Sequence, residues 1–146
     1  MIVADTNVIT YLALPSPYTP QAEQLLLRES EWVAPALWRS EFRNVLALYI
    51  RKSLVSFEEA LAVQAEMEDL LSGNEYEVTS LDVLSLVNKS SCSAYDCEFV
   101  ALAASLRAPM VTMDKRLASA FPETVVLLTE YANDPTAEVG EPDRTR

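Results

Sequence analysis

Four acidic side chains stand where the local pattern argues against ordinary solvated acids. Asp5 follows the short apolar run Met1–Ala4 and precedes Thr6 and Asn7 in MIVADTNV. Asp114 follows a second such run, Pro109-Met110-Val111-Thr112-Met113. Taken singly, each is explained as a turn or a helix cap, because an Asp after a strand commonly accepts backbone N–H groups. Glu41 is harder to explain. On a helical wheel of ALWRSEFRNVLALYI, the side chains of Leu37, Trp38, Val45 and Leu48 fall within about 60° of it. Phe42, Leu46 and Tyr49 extend the same arc, while Arg39 and Arg43 point the other way. A carboxylate in an apolar stripe is costly unless it is paired or holds a cation. A salt bridge to an arginine, or a place near water at the stripe's end, is the alternative. Asp96 completes a capping pattern with Ser93, yet Val100 and Ala103 put it over the apolar face of its own helix.

As a set, these acids come from two strand ends and two helix faces. Carboxylates gathered in one place repel, and some protonate unless a divalent ion is shared. All-oxygen donors favour hard cations such as Mg²⁺ or Mn²⁺.

The absences narrow the chemistry further. The chain of 146 residues has no histidine, which excludes Ser-His-Asp and Cys-His nucleophiles and histidine zinc sites. Its two glycines, Gly73 and Gly140, cannot write a P-loop or a dinucleotide fingerprint. Cys92 and Cys97 are the only cysteines; without an export signal they are expected as reduced thiols in the cytoplasm. The amino terminus has no basic region and Asp5 interrupts its apolar run, so it does not read as a signal peptide. No apolar stretch approaches the ~20 residues of a membrane span. The net charge of −11, from 22 acids against 11 bases, argues against a broad basic surface for nucleic acid.

The elements that must position the acids alternate. Strands are expected at Met1–Ala4, Trp32–Ala34, Tyr76–Val78, Pro109–Met113 and Val125–Leu128. Thr19 and Pro20 start a helix to about Arg28 as N-cap and N1. Pro35 opens a helix through about Lys52, and the capping box Ser56-Phe57-Glu58-Glu59 opens another that stops at Gly73. Shorter helices are expected over Leu81–Val87, up to Leu106 behind Ser93, and after Asp114. This order predicts an α/β fold: a central parallel sheet of four to five strands flanked by helices, with sites beyond the carboxyl ends of the strands. The folded domain is expected over 1–131. The segment 132–146, rich in Pro, Gly and charge, is expected to be a disordered acidic tail.

Four motifs resemble one family. VADTNV at Val3–Val8, RSEFRNVL at Arg39–Leu46, SAYDCEFVALA at Ser93–Ala103 and VTMDKRL at Val111–Leu117 occur in the order and at the spacing of PIN domains, in particular the small VapC-type toxin ribonucleases. The resemblance spans Met1 to Leu128. It implies that Asp5, Glu41, Asp96 and Asp114 bind Mg²⁺ or Mn²⁺ and catalyse phosphodiester hydrolysis, usually of RNA. It implies supporting hydrogen-bonding roles for Asn7 and Thr112, with Ser93 placed beside Asp96. It also implies a homodimer and a cognate antitoxin that lays a helix along a groove near the second and third helices. Cys97 and Glu98, the polar run Asn88-Lys89-Ser90-Ser91 and the acidic tail depart from the pattern without touching the four acids. Local positive charge would come from Lys115, Arg116, Arg39, Arg43, Arg51 and Lys52, with Arg39 and Arg43 read rather as ordinary solvent-facing helix residues. The acids of Phe57–Ser72 read as a solvated face. Two other readings remain open on sequence alone. One is a Mg²⁺-dependent phosphatase of the haloacid-dehalogenase type using Asp5, although Asn7 stands where that chemistry wants a second acid. The other is a metal-free binding scaffold whose acids are neutralised by arginines.

Overall fold

The computed structural model describes residues 1–133. Five short strands form one sheet: β1 (Ile2–Ala4), β2 (Trp32–Pro35), β3 (Glu75–Tyr76), β4 (Met110–Thr112) and β5 (Val125–Leu127). Their order is β3-β2-β1-β4-β5 and every pairing is parallel. Val3 sits beside Val33 on one side and Met110 on the other. The residues of β1, β2 and β4 are all buried, as expected of a parallel sheet covered on both faces. The expected α/β architecture, with five strands, is the one observed.

Eight helices connect the strands among the described residues: α1 (Thr6–Ala13), α2 (Thr19–Arg28), α3 (Trp38–Arg51), α4 (Phe57–Leu70), α5 (Ser80–Asn88), α6 (Ala94–Leu106), α7 (Lys115–Ala120) and α8 (Leu128–Asn133). Helix α6 packs on β1, β2 and β4, with α5 against α6. Trp32, Trp38, Phe42 and Phe99 are the largest fully buried side chains. Trp38 and Phe42 are stacked at a tilt, 6.1 Å between centroids, and sink the first turns of α3 into the core. None of these helices is long and apolar enough to cross a membrane.

The chain leaves β1 toward β2 and β3, then returns across the sheet to β4 and β5. The order therefore reverses between β1 and β4. A crevice opens at the carboxyl ends of strands at such a reversal, which is where α/β proteins place their ligands.

Several elements differ from the sequence-based expectation. Helix α1 was not expected, because Thr6, Val8, Ile9 and Thr10 are β-branched and poor helix formers. Burial overrides that preference: Val8 and Ile9 are wholly buried, and the Asp5 carbonyl accepts from Val8 and Ile9 N–H groups at 3.0 and 3.2 Å. Thr19 is not the cap of α2; Tyr18 holds that position. Instead, the Thr19 hydroxyl donates to the Tyr11 carbonyl at 2.7 Å and ties the loop back to α1. Pro35 ends β2, and α3 begins at Trp38. Leu128 opens α8 rather than closing the last strand. The expected tail begins at Ala132; its first two residues close α8, and 134–146 lie outside the described residues. Leu48, placed beside Glu41 on the wheel, is 47% exposed.

Arg39 is not a free solvent-facing cation. Its Nε and Nη2 fork onto Glu75 Oε2 and Oε1, both at 2.6 Å, and its Nη1 pairs with Glu68. Trp38 Nε1 donates to the same Glu75 carboxylate at 3.0 Å. The guanidinium holds the Glu75 carboxyl below its usual range. Two residues before Glu41, α3 is thus fastened to β3 and α4 by a planar fork that a lysine cannot reproduce. Glu68 likewise leaves the solvated face assigned to it. Cys92 and Cys97 are both free thiols, the latter buried.

Candidate active site

Asp5, Glu41, Asp96 and Asp114 line one cavity of about 420 Å³ at the chain-reversal crevice. Thr6, Asn7, Thr10 and Tyr11 from α1, and Asn44 and Val45 from α3, complete its lining. No lysine or arginine is among these residues.

Asp5 is the most enclosed of the acids, at 9% exposure. Its backbone N–H donates to Val111 O at 3.0 Å, which fixes it at the seam of β1 and β4. Its Oδ1 accepts from Thr6 N–H at 2.8 Å, so the cap reading holds in part. Its Oδ2 accepts from the Thr112 hydroxyl at 2.6 Å and from Asn7 Nδ2 at 3.3 Å. Burial, opposed by the Thr112 and Thr6 hydrogen bonds and aided by the charges of Asp96 and Asp114, pushes its pKa from 3.8 up to about 6. A carboxylate this short of solvent is poised to gain from a cation.

Thr112 joins three parts of the site. Wholly buried, it donates to Asp5 and accepts from the Asp114 N–H at 3.0 Å and from Asn7 Nδ2 at 3.3 Å. Asn7 thereby spends its amide N–H₂ on Asp5 and Thr112. Its buried Oδ1 has no hydrogen-bond partner among the described residues, an orphan acceptor facing an oxygen-rich pocket.

Glu41 is half-buried, as the wheel implied, despite the exposure of Leu48. Its Oε1 accepts from the Thr6 hydroxyl at 2.8 Å, joining α3 to α1. Burial raises its pKa, with like charges from Asp5, Asp96 and Glu98 adding to the shift against the Thr6 bond. Asp96 sits at N3 of α6, where its backbone N–H donates to Ser93 Oγ at 3.1 Å. Ser93 therefore supports Asp96 through the main chain, from outside the cavity lining. No described donor reaches the Asp96 carboxylate, so that end of the capping box stays open to the pocket. Asp114 caps α7, its Oδ1 accepting from Arg116 N–H at 2.9 Å and Leu117 N–H at 3.4 Å.

Arginine neutralisation, the basis of the scaffold alternative, is slight. Among the described residues the ion pairs involve neither Asp5, Glu41 nor Asp96, and Asp114 meets only Arg116, at 3.8 Å, whose side chain is 81% exposed. The oxygen-only donor set and the orphan Asn7 Oδ1 suit a hard cation chemically. As the side chains stand, though, no three acids or cysteines among the described residues are grouped closely enough to hold one ion together. Asp5 and Asp114 instead spend oxygens on Thr6, Thr112, Asn7 and the α7 cap.

The residues that sequence reasoning passed over are Thr6, Thr10, Tyr11 and Asn44. Their signal was periodic: Asn7, Thr10 and Tyr11, like Glu41, Asn44 and Val45, follow the i, i+3, i+4 spacing of one helix face.

Comparison with known proteins agrees with this fold. A family model described as PIN domain matches residues 2–121. The chain is 28% identical over 127 residues to Ribonuclease VapC3 of Pyrobaculum aerophilum, covering 85% of this chain and 97% of the relative. In fold it is similar to the crystal structure of PAE2754 from Pyrobaculum aerophilum, with a TM-score of 0.70 at 17% identity over 90% of this chain and 85% of that one. It is also similar to FitAcB from Neisseria gonorrhoeae, with a TM-score of 0.67 at 19% identity over 88% and 99% of the two chains.

Proposed function

The chain belongs to the PIN domain family, and from that premise we propose that it is a Mg²⁺- or Mn²⁺-dependent endoribonuclease. Its substrate would be RNA, and it would serve in the cytoplasm as the toxin of a type II toxin–antitoxin pair. The observation that carries the reading is the shared cavity of Asp5, Glu41, Asp96 and Asp114, four acids with almost no cationic neutralisation. The relative named Ribonuclease VapC3 supports the choice of RNA.

In this reading Asp5, Asp96, Asp114 and Glu41 are the residues that would hold the ion, once its charge draws their side chains together. When bound, the ion supplies positive charge against the phosphodiester and acidifies the attacking water. Thr112 and Asn7 keep Asp5 Oδ2 turned to the seam, and Thr6 does the same for Glu41 Oε1. Glu41 Oε2, which no described donor reaches, would be free to meet the ion or to take a proton from the nucleophile. Burial raises its pKa, which makes it a stronger base than an exposed glutamate.

An antitoxin helix would find an apolar hollow between α3 and α4, lined by Leu46, Ile50, Phe57 and Leu61. A second copy would cover the exposed Leu81, Leu84 and Tyr95 of α5 and α6. The test of the catalytic reading is cleavage of an RNA panel with Mn²⁺ by the wild type, Asp5→Asn and Glu41→Gln, with metal uptake followed by calorimetry. Loss of both cleavage and ion binding in Asp5→Asn is expected; undiminished cleavage in either variant refutes it.

A further inference from the structure

The cavity has acids at its floor and no lysine or arginine in its wall, on a chain of net charge −11. Phosphate contacts from basic side chains ordinarily supply most of the affinity for RNA. Basic side chains near the cavity are few: Arg39 is committed to Glu75 and Glu68, and Arg116, 3.8 Å from Asp114 and 81% exposed, is the cation paired with one of its acids. So few cations leave room for a second source of affinity, and bases offer a π-face that is indifferent to charge.

The α1 wall carries an aromatic group in the right place. Tyr11 lies one helical turn beyond Asn7 and lines the cavity with it. Its ring lies 5.1 Å from that of Tyr18 at a tilt of 49°, and it is only partly buried against the core. Tyr18 does not itself line the cavity and is 38% exposed. No hydrogen bond among the described residues holds the Tyr11 hydroxyl. The pair is nevertheless firmly mounted, since Thr19, next to Tyr18, donates its hydroxyl to the Tyr11 carbonyl. Across the cavity, Asn44 of α3 offers an amide able to meet a base edge.

We propose that Tyr11 and Tyr18 form a base-stacking platform that binds an unpaired RNA nucleotide beside the phosphodiester held at the four acids, and that this platform adds to the affinity the few basic residues supply. The proposal rests on the nuclease reading above. It makes these tyrosines substrate-binding residues and directs cleavage to loops and single strands, where bases are free to leave their stack.

The experiment digests total cellular RNA with the full chain and Mn²⁺, maps a cleavage site, and measures kinetics on a synthetic oligonucleotide spanning it. Tyr11→Leu keeps apolar bulk and loses the ring; Tyr11→Phe keeps the ring; Tyr18→Ala removes the outer half. Stacking on one aromatic implies a rise in KM of roughly ten- to a hundredfold in Tyr11→Leu with kcat little changed, and near-wild-type KM in Tyr11→Phe. Replacing the base beside the scissile bond by an abasic nucleotide should raise the wild-type KM similarly, with Tyr11→Leu adding nothing on that substrate. The abasic arm uses the wild type and so stands even where a variant folds poorly. Unchanged KM in Tyr11→Leu, equal losses in Tyr11→Phe, or indifference to the abasic nucleotide overturns the platform while leaving the nuclease in place. A wild type that cleaves no RNA overturns both.

Discussion

Replacing Asp5 by Asn should make this protein more stable, not less. The buried Asp5 carboxyl has its pKa raised from 3.8 to about 6. At about 1.36 kcal/mol per pKa unit, keeping it ionised in the folded state costs about 3 kcal/mol above pH 7. At pH 4 the folded state is almost wholly protonated and the unfolded state about half so, and the penalty shrinks to about 0.5 kcal/mol. Between those limits the unfolded chain ionises first, so stability falls as pH rises. Asparagine removes the charge at every pH and keeps an oxygen for Thr6 N–H. Its N–H₂ has to donate where the carboxylate accepted from Thr112 and Asn7, a mismatch that flipping Asn7 toward its orphan Oδ1 partly repairs. Allowing about 1 kcal/mol for that rearrangement, Asp5→Asn should gain about 2 kcal/mol at pH 7.5, or roughly 5–10 °C in Tm. Urea unfolding in EDTA at pH 7.5 and pH 4 measures both gaps. Adding Mg²⁺ should then stabilise the wild type and not the variant, closing or reversing the difference. A variant less stable than wild type at pH 7.5, or an advantage undiminished at pH 4, refutes the argument.

Thr112→Val removes a hydroxyl of the same shape and leaves Asp5 Oδ2 and the Asp114 N–H without it; a loss of about 1–3 kcal/mol in chemical denaturation is expected. Because that hydroxyl holds the Asp5 pKa down, the acid limb of the pH–rate profile should move to higher pH in the same variant. Thr6→Val deletes the donor to Glu41, so the Glu41 titration followed by carbon NMR should shift upward, with about 1 kcal/mol of stability lost. Gly73→Ala serves as a contrast: its φ of +77° disfavours a side chain although nothing stands within 4 Å of the added Cβ. It should cost about 1 kcal/mol in Tm-derived stability and leave cleavage untouched.

The acids were legible because each breaks a local rule. Glu41 interrupts an apolar stripe, and Asp5 and Asp114 end apolar runs. The plain explanation and the functional one proved compatible, since Asp5 and Asp114 cap α1 and α7 while lining the cavity. Helix α1 was not legible, because its β-branched residues point to strand or loop and only tertiary burial of Val8 and Ile9 reverses them. With α1 unrecognised, the helical spacing of Asn7, Thr10 and Tyr11 had no helix to be read against. Arg39 was misjudged for a related reason. Its partners, Glu68 and Glu75, lie 29 and 36 residues away, and a helical wheel reports only neighbours within one helix.

The bridge between Asp5 and Thr112 spans 107 positions, and this distance sets a schedule for synthesis. A nascent chain that stops short of Thr112 has Asp5, Glu41 and Asp96 but neither the hydroxyl that aligns the first nor Asp114. The entropic penalty for closing so long a segment is met only when the fourth strand arrives to zip against the first. A ribosome making this protein therefore carries an unassembled pocket through most of translation, and the finished cluster comes into being only after the carboxyl-terminal strands have emerged.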